Sequence, residues 1–175
     1  MPDINFNTTS GQTIARELLI ACLNTGTTAQ PTWTPIGKRV EDSSEEMDWS
    51  KESIQDILGN TYSTMKKPVI TQSFDPMHLE AGDAALEKLW NLAVKEQNAQ
   101  ALQAMDMLIV HKYAGTADTA VFAERYEACS ISITSIGGEG GGNIGMPIEV
   151  TYGGKRTTGT AAVASGGAIT FTPDT

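Results

Sequence analysis

The chain has 175 residues, 40% of them hydrophobic and 19% charged. That suits one soluble domain able to bury roughly 70% of the surface its unfolded form exposes. Its 12 basic and 21 acidic side chains give a formal charge of −9. This balance argues against a sequence-independent nucleic-acid binder, whose affinity comes from Lys and Arg displacing counterions, and against docking on anionic lipid.

Residues 1–15 are polar and weakly patterned and read as an N-terminal arm. They carry no charged n-region and no apolar h-region, so no cleaved secretory signal is expected. Glu17–Asn24 reads as a continuous apolar run compatible with a buried strand, stopped by the Asn24-Thr-Gly26 turn signal. In Thr27–Ile36, Trp33 stands between Pro31 and Pro35, which suits an edge strand. Five of the eight residues from Glu41 to Asp48 are acidic. The 38–58 segment around them reads as a charged connector loop, although Val40, Trp49, Ile54 and Ile57 look like parts of a folded sheet. A metal site, a solvated loop and a surface that faces another polyanion are open readings of it. Asn60–Phe74 has strand composition with a break at Lys66-Lys67-Pro68, and Asp75-Pro76 ends it.

The spacing predicts a helix over 83–97. Asp83 serves as N-cap, and Leu86, Leu89, Trp90, Ala93 and Val94 form an apolar stripe that would pack on a sheet. Strands return at Met107–Tyr113 and Phe122–Ile136. The second alternates cleanly, with Cys129, Ile131 and Ile133 on one face and Ser130, Ser132 and Thr134 on the other. Ile148, Val150 and Tyr152 alternate with Glu149 and Thr151. Thr157–Val163 and Ala168–Thr172 follow, joined by a tight turn at Ser165-Gly166-Gly167. The expected fold is mainly β: two packed antiparallel sheets, as a sandwich or barrel, with one flanking helix, in a single domain spanning 1–175.

No constellation in this pattern proposes catalysis, and the chain is not expected to be an enzyme or to need a cofactor. Gly140-Gly-Gly142-Asn-Ile-Gly145 matches G-x-G-x-x-G in form. It is followed by Met146-Pro147 and an alternating strand instead of the helix that would receive a pyrophosphate, so it reads as a strand-to-strand loop. Gly153-Gly154-Lys155-Arg156 reads as a hairpin turn with a basic tip. Asp48-Trp-Ser50-Lys-Glu52 spaces oxygens at alternate positions but lacks the glycine and terminal glutamate of a calcium loop. His78 and His111 lie in different elements without metal-ligand spacing, and no metal is expected. Cys22 and Cys129 each sit in an apolar run and read as buried thiols of a protein folding in a reducing cytosol.

Several features together resemble the major tail tube protein of a long-tailed, non-contractile, siphovirus-type bacteriophage. They are the polar arm, the buried strand, the connector IGKRVEDSSEEMDWSKESIQDILGNTY, the Thr/Ser-rich strand pair, the helix DAALEKLWNLAVKEQ and the closing Gly/Thr-rich hairpins. The resemblance implies hexameric rings that stack into a tube around a β-barrel channel. It implies a structural role in the virion tail, with assembly in the host cytoplasm; some relatives carry an extra C-terminal immunoglobulin-like domain, which is not expected in this chain ending at Thr175. Implied partners are further copies of the chain and tape-measure, tail terminator and tail-tip proteins. Double-stranded DNA would pass through without specific binding, and no membrane contact is implied. The tube subunit of a bacterial secretion or contractile injection system and a β-sandwich adhesin remain alternatives.

Within that frame, Ser130, Ser132, Thr134, Glu149 and Thr151 are the expected channel-facing residues, because small hydroxyls and a carboxylate make a wall without phosphate-binding cations. Glu41, Asp42, Glu45, Glu46 and Asp48, with Lys38, Arg39 and Lys51, are the expected inter-subunit contacts. Lys66 and Lys67 are further cations within reach of the connector.

Overall fold

Leu19–Asn24 forms the first strand, β1, in the computed structural model, which describes residues 3–174. Met1, Pro2 and Thr175, and with them the first two positions of the expected arm, lie outside the described residues. The Asn24 side chain turns the chain at the end of β1. Its Oδ1 accepts from the backbone N–H groups of Gly26 (2.9 Å) and Thr32 (3.0 Å), a local bond that replaces a strand ladder. The chain returns as β2 (Trp33–Pro35), antiparallel to β1 and at the edge of the sheet, where Pro35 costs no ladder bond. The arm is held to its own chain at Asn5 and Asn7. Asn7 N–H donates to Tyr113 O (2.8 Å), and Gly115 N–H donates to Asn5 O (3.0 Å).

The charged 38–58 segment is no simple loop. It contains β3 (Glu45–Asp48) and β4 (Glu52–Gln55). Charge density opposes burial on both faces, but an edge strand needs only backbone pairing and one dry face. β4 pairs with β5 (Thr61–Thr64) as a two-stranded hairpin of its own, while β3 pairs with β6 (Val69–Phe74).

Helix α1 (Ala84–Trp90) begins where Asp83 Oδ1 accepts the N–H groups of Ala85 (3.0 Å) and Leu86 (3.1 Å). It continues through a π turn at Asn91–Lys95, and α2 (Ala99–Leu102) follows with Asn98 as its cap. Its buried face is one column away from the expected stripe. Ala85, Leu86 and Leu89 are buried and Leu92 packs beside them, while Trp90 and Val94 are exposed. Ala85, small enough to sit flat on the sheet, draws the face towards itself.

The C-terminal half supplies β7 (Met105–Thr116), β8 (Ala120–Ile133), β9 (Ile148–Tyr152), β10 (Arg156–Val163) and β11 (Ile169–Pro173). β7 joins β1 to β8. On its other side β8 forks: its first half pairs with β10 and its second half with β9. At the fork the β9–β10 turn presses on Ala128. Gly154 has φ +72°, and a Cβ there would lie 2.7 Å from Ala128 N, so only glycine fits.

One branch, β2-β1-β7-β8-β10-β11, curls until β11 lies near β2. It encloses Cys22, Trp33, Leu108, Val110, Val121, Ala123, Ala161 and Ile169. The other branch, β8-β9-β6-β3, packs with α1 over the outside of that wall around Leu23, Phe74, Leu89, Ile109, Ile131 and Val150. The expected two packed antiparallel sheets with a flanking helix are therefore present, and they share strand β8.

Candidate assembly surfaces

The outward face of β8-β9-β6-β3 is polar on all four strands apart from Val69, which stands exposed opposite Asp48. Ser130 stands opposite Thr151, Thr151 opposite Thr71, and Thr71 opposite Glu46. In the next row Ser132 stands opposite Glu149 and Glu149 opposite Ser73. The alternate residues Ile131, Val150 and Gln72 point into the core. Ser130, Ser132, Glu149 and Thr151 thus share one face, roughly 15 Å across at the usual strand spacing. Thr134 lies just past β8, with its hydroxyl donating to Pro147 O (3.3 Å) at the rim. Thr71, Ser73 and Glu46 complete the face. They were missed because strand pairing between remote segments leaves no local signal. Asp48 ends the face on β3, and no Lys or Arg occupies an outward position on these four strands.

A second surface is the β4–β5 hairpin, whose strand residues are all exposed. Ile57 and Leu58 at its tip are 102% and 82% exposed, and Ile54 and Tyr62 stand out from its strands. The Asp56 carboxylate builds the turn. Oδ1 accepts the N–H groups of Leu58 and Asn60 (both 2.9 Å), and Oδ2 accepts Asn60 Nδ2 (3.0 Å) and Tyr62 OH (3.3 Å). Bonds from Asn60 foremost hold this carboxyl below its ordinary pKa. A lone two-stranded hairpin is marginal in water, and clustered exposed aliphatics mark a contact surface.

Among the expected contact residues, Glu41, Asp42, Glu46 and Asp48 are exposed, as are Lys38, Arg39 and Lys51. Glu45 differs from these residues in being half-buried. It stands opposite the buried Gln72, its Oε1 is buried without a partner, and burial pushes its pKa up. Edge-strand alternation turned this acid inward. Lys38 and Arg39 approach Glu80 of their own chain, at 2.7 and 3.9 Å, and Lys66 approaches Glu52 at 3.9 Å. Asp48 Oδ1 accepts the Ser50 N–H (2.8 Å), so this acid folds back on its own backbone. Among the described residues, no three His, Cys, Asp or Glu side chains converge as a metal site.

The sequence reading also missed a polar network between the sheets. Glu124 accepts from Tyr126 OH (2.9 Å) and Arg156 Nε and lies 3.0 Å from His111 Nε2. His111 Nδ1 meets Tyr113 OH at 2.8 Å. Burial works to raise the Glu124 pKa, but hydrogen bonds from His111, Arg156 and Tyr126 and the Arg156 charge outweigh it and bring it to about 2. Arg125 forms a two-pronged pair with Asp106 (2.9 and 2.7 Å) beside the Trp33 ring. Cys22 and Cys129 are buried, and burial pushes both thiols up to about 12, far from a reactive thiolate. These groups satisfy one another and read as a structural network.

No family model matches the chain, and no curated protein matches it. A solved structure does: an extracellular contractile injection system, the PVC sheath/tube terminator in its extended state. The likeness has a TM-score of 0.51 at 13% identity and covers 86% of this chain and 99% of that one. The PVC sheath-tube complex in its extended state gives 0.49 at 11% identity, covering 85% and 93%. The anti-feeding prophage cap, a tube-terminating cap, gives 0.48 at 16%, covering 89% and 96%. At 13% identity, the first likeness establishes the fold: a β architecture with a flanking helix, found in tail-tube-related proteins.

Proposed function

We propose that the chain is a structural subunit of a tail-type tube, polymerising with copies of itself into rings stacked around a channel. The observation that carries this is the tail-tube-type fold combined with a four-strand outward face bearing hydroxyls and carboxylates and no cation. A channel wall needs one face on the subunit's own core and one face wetted, and this sheet has that division. In the reading drawn from the sequence resemblance, six copies close each ring and the tube belongs to the virion tail of a non-contractile phage. The acid-only face supports this home, since a duplex passing at speed is slowed by every phosphate-binding cation on the wall. Tape-measure, terminator and tail-tip proteins are then its neighbours.

A second reading makes the chain a tube or tube-terminating subunit of a contractile injection system. The origin of the 0.51 TM-score neighbour supports it. Electron microscopy of the concentrated purified protein tests both readings. Long hollow tubes support a tube subunit, and discrete rings that do not stack support a terminator. Monomers at every concentration would overturn the structural role.

A further inference from the structure

We propose that the tip of the β4–β5 hairpin of one copy seats in the groove between the β3–β6 pair and the β9–β10 turn of a second copy. The inference rests on the reading above that copies of the chain contact one another, and it names the two surfaces that meet. The groove has a volume of about 560 Å³, with Met47, Trp49 and Ile70 as its apolar lining beside Tyr126 and Tyr152. Met47 and Trp49 are 50% and 45% exposed, so this lining is uncovered in the single chain. Lys67 and Arg156 also line the groove, and Lys155 stands next to it in the β9–β10 turn. Arg156 is held by Glu124, whereas among the described residues Lys67 and Lys155 pair with no acid.

The hairpin tip is complementary in both respects. Ile57 and Leu58 offer two aliphatic side chains left almost wholly exposed, and Asp56 beside them carries a negative charge. The tip cannot enter the groove of its own chain. The hairpin is closed at its base by Lys66 N–H donating to Trp49 O (3.0 Å), and Trp49 is itself a groove residue. The four residues of β4, roughly 13 Å of extended chain, then carry the tip away from that base. Tip and groove therefore lie at opposite ends of one projecting element. A reciprocal pair of such contacts would close as a two-fold dimer, whereas a single head-to-tail contact propagates into rings or stacks, which is the arrangement the tube reading requires. The occupant is a second copy, because the chain itself displays an element that matches the groove in both apolar character and charge.

The test mixes an Ile57→Cys protein with a Lys155→Cys protein under mild oxidation. The native thiols are buried and stay silent. A cross-linked dimer should form in the mixture and in neither variant alone, and a ladder should form in the double variant. Ser165→Cys in the β10–β11 turn, in place of Lys155→Cys, should not cross-link. A separate Ile57→Asp variant should melt like the parent yet need at least tenfold more protein to assemble. Assembled particles that give no cross-link in the mixture, or Ile57→Cys pairing only with itself, would overturn the seating and leave the tube reading standing. So would Ile57→Asp assembling at the parent's concentration. A chain that never assembles would overturn both.

Discussion

Glu45 is the one acid of the connector that faces inward, and replacing it should stabilise the protein. It lies opposite Gln72 on the core side of β3, and its buried Oε1 has no hydrogen-bond partner. Burial is the largest influence on its pKa and raises it. The His111 and Arg16 charges oppose the shift, and the Glu124 charge adds to it. An unsatisfied buried acceptor costs about 1–3 kcal/mol, and the residue's partial exposure argues for the lower end. In a domain of this size about 1 kcal/mol moves the melting temperature by roughly 2–4 °C. Glu45→Met, which keeps the length and removes the oxygens, should therefore melt about 2–4 °C above the parent at pH 8. Glu45→Gln should gain less, since an amide stays buried.

The pH dependence has a definite sign. A carboxyl with a folded pKa above its unfolded value contributes stability that is present below the unfolded pKa and lost as pH rises through the folded one. The advantage of either variant should thus be small in acid and grow towards neutral pH. Thermal melts at pH 4 and pH 8 decide it. A Glu45→Met protein that melts no higher than the parent at pH 8, or by the same margin at both pH values, would refute this account of the buried acid.

The parts of the fold that were legible in the sequence are those set by near neighbours. The alternation of Cys129 to Thr134 and of Ile148 to Tyr152 assigned the two faces of β8 and β9 correctly. The Asp83 cap and the Asn24 turn are local hydrogen-bond chemistry, and both were readable. The fork of β8 was not, because it depends on two strands, β9 and β10, competing for one edge. The pairing of His111 with Glu124 also escaped. It depends on the β7–β8 register beside a shift between His111 and Gly115. The strand in the acidic connector was hidden because composition reports charge, while an edge strand is set by what lies beside it. The hairpin was half visible: Ile54 and Ile57 looked like sheet residues, but nothing in the sequence said that the sheet holding them has only two strands.

Three further outcomes follow from the assembly reading. Among the described residues, deleting 1–12 removes the pairing at Asn5 and Asn7 and the edge contact of the exposed Phe6 ring with Tyr113, and no buried side chain, so the truncated protein should fold, and gel filtration with electron microscopy should find it unable to form tubes. Undiminished assembly would deny the arm any part in the contact. Hydrogen exchange should find β3 amides protected in the monomer through pairing with β6, and β4–β5 amides protected only after assembly; equal protection of the hairpin in both states would mean it docks on nothing. Glu149→Lys tests which face lines the channel. Glu149 is exposed between Ser132 and Ser73, so the exchange should alter stability by less than about 0.5 kcal/mol and leave assembly intact. If this face lines a DNA channel, each copy adds a phosphate-binding cation to the wall, and ejection should slow at low salt and recover at high salt as screening shortens the reach of the charge. Ejection rates from single particles at two salt concentrations measure this, and unchanged rates from intact Glu149→Lys tails would put the polar face on the outside of the tube.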